Sequence, residues 1–117
     1  MIRKAHISIT QAEIDHIEVA DFGLGAIDQV GAEILTIVET SRLVVKVLVL
    51  FPGQTLPEHR HPRLGDYPGK EETLRCAWGK LFVNVPGEAG DSSISRPPIH
   101  RQEYYSARKE IILHPGD

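Results

Sequence analysis

Two histidines one residue apart, His59 and His61, and a later glutamate, Glu72, are the residues whose types and spacing name a chemistry most directly. Imidazole nitrogens and a carboxylate together form a donor set for Zn²⁺, Mn²⁺, Fe²⁺, Co²⁺ or Ni²⁺, with the carboxylate offsetting part of the cation's charge. In an extended chain, positions i and i+2 face the same side, so His59 and His61 are predicted to project together. Glycines bracket the pattern: five residues separate Gly53 from His59, and six separate Glu72 from Gly79. The competing reading is a solvent-facing histidine pair and an unrelated surface glutamate, and six histidines in 117 residues allow such a pair by chance. The two glycine-anchored spacings and the strand context favour the metal site. His6, His16, His100 and His114 fall outside the pattern and read as surface residues.

The elements that must position these groups follow from the rest of the chain. Its 117 residues suffice for one modest domain, and 41% hydrophobic with 25% charged residues is an ordinary globular balance. A formal net charge of −3 argues against a general binder of nucleic acid. Cys76 is the lone cysteine, so no intrachain disulfide can form; it reads as a core packing residue in a reducing, cytoplasmic setting. The start carries no signal-peptide pattern, and no apolar run reaches the roughly 20 residues of a membrane span, so no membrane association is expected.

Thr10-Gln11-Ala12-Glu13 reads as a capping box opening a short helix from Gln11 to about Ile17. Asp21-Phe-Gly-Leu-Gly25 is a glycine-punctuated loop without the pattern of a phosphate loop. Strands are predicted over 32–39 and 43–51 with a turn at Thr40-Ser41, then over 56–61, 72–78, 80–85 and 110–113, with Tyr104-Tyr105 in a further short strand. Residues 62–70 and 86–98 read as loops from their Pro, Gly and Ser content. Many short strands with turn signals between them predict an all-β sandwich or barrel in a single domain, 1–117.

Gly53-x5-His59-x-His61, a spacer, then Glu72-x6-Gly79 resembles the first motif of the cupin superfamily, with a spacer (62–71) longer than usual that implies an inserted loop beside the site. Leu48-Val-Leu-Phe-Pro-Gly-Gln-Thr55, Pro57-Glu-His-Arg-His-Pro62, Gly69-Lys-Glu-Glu-Thr-Leu-Arg-Cys76 and Trp78-Gly-Lys80 are similar to the D-lyxose ketol-isomerase family of cupin fold. Asp21-Phe-Gly-Leu-Gly25 and Glu110-Ile-Ile-Leu-His-Pro-Gly116 extend the resemblance more weakly to both flanks.

The resemblance implies a cupin jelly-roll β-barrel whose interior excludes bulk water. It implies metal ligands at His59, His61 and Glu72, with Mn²⁺ first and Zn²⁺, Co²⁺ or Ni²⁺ as alternatives, and a lysine two positions before the glutamate, Lys70, that binds a sugar oxygen or assists proton transfer. Alternation places Glu58 and Arg75 off the ligand face. Members of the family continue past the Pro-Gly turn into a second motif that supplies a further histidine and returning strands, and they carry an additional N-terminal helical segment. The chain is therefore expected to be a fragment with an incomplete barrel, an open sheet edge and three of four protein ligands; His114, in the terminal turn, is not expected to substitute.

The implied activity is aldose–ketose isomerisation of a small sugar, D-lyxose to D-xylulose with D-mannose and D-fructose as a second pair; the oligomeric state is left open, homodimers being common for such folds. A cation on the carbonyl and neighbouring hydroxyl would stabilise a developing enediolate while a base moves the proton; a hydride shift is the competing route. Two other readings remain open: a non-catalytic metal- or sugar-binding cupin, inactive through truncation, and a cupin oxygenase.

Overall fold

The computed structural model describes residues 1–117, which fall into two units, Met1–Pro57 and Glu58–Asp117. Local signals dominate the first. Thr10 caps helix α1 (Gln11–Asp15): its hydroxyl accepts from the Glu13 amide, and the Glu13 carboxylate accepts from the Thr10 amide at 2.7 Å. These reciprocal bonds satisfy two of the donors that a helix start leaves unpaired. The helix ends at Asp15, two residues short of the prediction, where His16 leaves helical geometry and its ring bonds the Ala12 carbonyl.

Strands β1 (Glu18–Ala20), β2 (Ala32–Glu39) and β3 (Val44–Val49) form an antiparallel sheet in the order β1-β2-β3. The β2–β3 turn is organised by Thr40, whose hydroxyl oxygen accepts from the Arg42 and Leu43 amides. Ile37 sits in a bulge between the Thr36–Lys46 and Val38–Val45 pairs. Between β1 and β2, the Asp21 carboxylate accepts from the Gly23 and Gly25 amides, so the donors that a phosphate would require are already taken. The buried side chains of this unit are Ile2, Val30, Ala32, Leu35 and Gln54. Gln54 is tolerated there because its amide accepts from the Phe51 N–H and donates to the Ile27 carbonyl.

The second unit is built on an antiparallel pair, β4 (Leu81–Val85) with β5 (Lys109–Leu113). The long connection between them is tied back by Glu110, whose carboxylate accepts from the Ile94 and Ser95 amides. Cys76 is buried, as predicted, and its backbone exchanges hydrogen bonds with Gly116 and Asp117.

The architecture is all-β in character, with little helix, and no closed barrel is seen. Three predicted strands are corrected. Residues 56–61 and 72–78 run outside any ladder, because no neighbouring strand offers them a row of amides and carbonyls. Tyr104-Tyr105 is not a strand: Gln102–Tyr104 forms a 3-10 turn closed by the Arg101 and Gln102 carbonyls. Two short elements, the 3-10 turn Ile2–Ala5 and β1, were below what periodicity can register. No helix is long and apolar enough to cross a membrane.

Candidate metal centre

His59 and His61 lie on the extended segment that opens the second unit. Alternation needs only extended backbone, not a ladder, so the two side chains still emerge on one side. Their rings sit edge to face, with centroids 4.9 Å apart and planes at 84°. The chain then leaves in a loop pinched by reciprocal backbone hydrogen bonds between Leu64 and Tyr67. It returns through Gly69, which has φ +101° and packs so closely on the His61 carbonyl oxygen that a Cβ would stand 2.6 Å from it. A side chain is thus excluded by both conformation and space. This return brings Lys70 and Glu72 alongside His61.

His61 Nε2 stands 3.4 Å from Glu72 Oε1, and the donor atoms of His59, His61 and Glu72 all lie within 4.8 Å of one another. Ligand bonds of about 2.0–2.2 Å allow donors on one ion to be at most roughly 4.4 Å apart, so small side-chain adjustments would close the triad on a cation. The donor set therefore fits a divalent transition metal in chemistry and comes close to it in span. Lys70 Nζ lies 2.5 Å from the same Glu72 oxygen. The Lys70 hydrogen bond holds the Glu72 carboxyl below its usual range, helped by the lysine charge and the two imidazoles and opposed by partial burial.

The water-excluding interior expected around the ligands is not what surrounds them: all three are exposed, with the His61 and Glu72 side chains 34% and 38% accessible. The segments that carry them lie in no sheet, so no layer covers the cluster from its own flanks. Of the residues set aside on the sequence, His114 stays in the terminal turn, and its amide donates to Asp117. Glu58 is not an idle surface charge. Its carboxylate accepts from the Ser106 amide, the Ser106 hydroxyl and the Ala107 amide; the hydroxyl first, then the Ala107 and Ser106 amides, hold its carboxyl below the usual range. Nothing in the spacing of the sequence signals a bond between residues so far apart.

Comparison with known proteins agrees with the resemblance. The chain is 49% identical over 116 residues to a protein of Thermosediminibacter oceani named D-lyxose/D-mannose isomerase. It is 46% and 47% identical over 117 residues to proteins of a Thermofilum species and of Cohnella laeviribosi, both named D-lyxose ketol-isomerase. These matches take in 99–100% of the chain and 64–65% of the relatives, so the chain spans a little under two thirds of their length. No protein-family model matches it.

Proposed function

Taking whole-chain homology to proteins named D-lyxose ketol-isomerase as the premise, we propose that this chain carries the metal-binding part of an aldose–ketose isomerase of cupin jelly-roll type, its two units belonging to one domain. The observation that carries this reading is the convergence of His59, His61 and Glu72 within 4.8 Å. These three would hold a divalent cation, Mn²⁺ first and Zn²⁺, Co²⁺ or Ni²⁺ as alternatives. When bound, such a cation supplies Lewis acidity to the carbonyl and neighbouring hydroxyl of an open-chain sugar. The substrate pair is D-lyxose and D-xylulose, with D-mannose and D-fructose as the second, in a cytoplasmic homodimer.

The chain's own residues divide the remaining work. His59 and His61 present ring nitrogens from one side of a single extended segment. Glu72 places negative charge beside them, and the Lys70 hydrogen bond favours its ionised form. Lys70 Nζ holds a proton beside the cluster, where it can donate to a sugar oxygen or serve the hydrogen transfer between C1 and C2.

The deciding experiment incubates the chain with Mn²⁺ and D-lyxose in D₂O and follows ketose formation. Ketose with deuterium at C1 supports isomerisation by proton transfer; ketose without deuterium supports a hydride shift. The exposure of the cluster favours a second reading, a cation- or sugar-binding protein without turnover. That reading is selected by Mn²⁺ binding with no ketose formed. Oxygen consumption in place of either would select an oxygenase.

A further inference from the structure

The segment carrying both histidines belongs to no strand, so something other than a sheet ladder must hold it. Glu58 precedes His59 and, by alternation, leaves the chain on the opposite side from the two imidazoles. There it reaches 48 residues along the sequence to the Ser106 amide, the Ser106 hydroxyl at 2.6 Å and the Ala107 amide at 3.0 Å. Hydrogen bonds to an ionised acceptor are the stronger kind, and two oxygens sharing three donors fix direction as well as distance. Ser106 and Ala107 lead, through Arg108, into β5, whose five residues pair in continuous register with β4. The β4–β5 ladder is therefore linked through one carboxylate to the backbone that projects His59 and His61.

We propose that Glu58 is a positioning residue of the metal centre, anchoring the histidine segment to the root of β5 and thereby setting the cluster's affinity for a cation. The inference rests on the metal-binding reading above. Without the anchor, the two imidazoles must be ordered by the cation itself, and that ordering subtracts from binding.

The test uses the 117-residue chain and Mn²⁺ titration, with amide exchange of the metal-free protein as a second readout. Glu58→Ala is expected to weaken Mn²⁺ binding roughly 10- to 100-fold, the range for residues that orient ligands. Glu58→Gln, which keeps an acceptor but loses the charge, falls between. The Ser106 and Ala107 amides should exchange faster in Glu58→Ala. Glu110→Ala removes the other carboxylate anchor of this unit, the one on Ile94 and Ser95, and should leave Mn²⁺ affinity within about twofold. Unchanged affinity in Glu58→Ala overturns the proposal, as does an equal loss in Glu110→Ala, which would mark a general loss of fold. A wild-type chain that binds no Mn²⁺ while those amides stay protected overturns the metal reading and this inference with it.

Discussion

Lys70 and Glu72 are joined by a short ion pair, and the glutamate oxygen that takes the lysine ammonium is the one His61 approaches at 3.4 Å. The ammonium thus sits where a cation would draw the carboxylate, and the two must compete for it.

Replacing Lys70 with methionine removes that competitor and a like charge, so Mn²⁺ should bind more tightly. Side chains 47% and 38% accessible keep the gain modest, on the order of threefold to tenfold after solvent screening. Isomerisation should fall in the same variant if Lys70 donates to the sugar. Calorimetric titration beside a ketose assay reads the two opposed changes. Weaker Mn²⁺ binding would show that Lys70 organises the cluster rather than competing for it.

Glu58, Glu72 and Glu110 are each held below the usual 4.5, Glu58 first by the Ser106 side chain, Glu72 by Lys70, and Glu110 by the Ser95 side chain. As pH falls, the unfolded carboxyls take up protons near 4.5 and the folded ones only below it. Their contribution is complete above that value and is lost as pH drops through the folded values. Melting temperature should therefore hold steady from neutral pH down to about 5 and then decline. The Glu58→Gln/Glu110→Gln variant should decline less steeply, and an unchanged slope would assign the acid sensitivity to other groups.

Gly69→Ala should be among the most disruptive single changes near the cluster. The new Cβ would meet the His61 carbonyl at 2.6 Å on backbone at φ +101°. A forced positive φ costs about 1–3 kcal/mol, before the clash is relieved by moving the loop. Relief carries Glu72 away from His61, so Mn²⁺ affinity should fall together with the urea midpoint. A variant with native Mn²⁺ affinity would show that the return path does not set the donor spacing.

What the sequence reveals here divides along the range of the forces involved. The α1 cap, the β2–β3 hairpin and the β4 and β5 strands were readable because a side chain and backbone a few residues apart, or a run of β-branched residues, decide them. The grouping of His59, His61 and Glu72 was readable because glycine spacing and extended alternation are properties of the chain itself. Residues 56–61 and 72–78 have strand composition without strand pairing, since a ladder depends on neighbours that propensity does not count. The bond from Glu58 to Ser106 was invisible for a related reason: it depends on where two distant segments arrive, and neither carries a mark of the other.

The excursion between His61 and Gly69 is closed on itself by the Leu64–Tyr67 pair before the chain returns. Distance along the polypeptide between imidazoles and carboxylate is thereby uncoupled from their distance in space. Foreign peptide grafted at Asp66, in the tip, would lengthen the detour without stretching the donors apart, so a reporter group could be installed in this loop while His59, His61 and Glu72 keep their places.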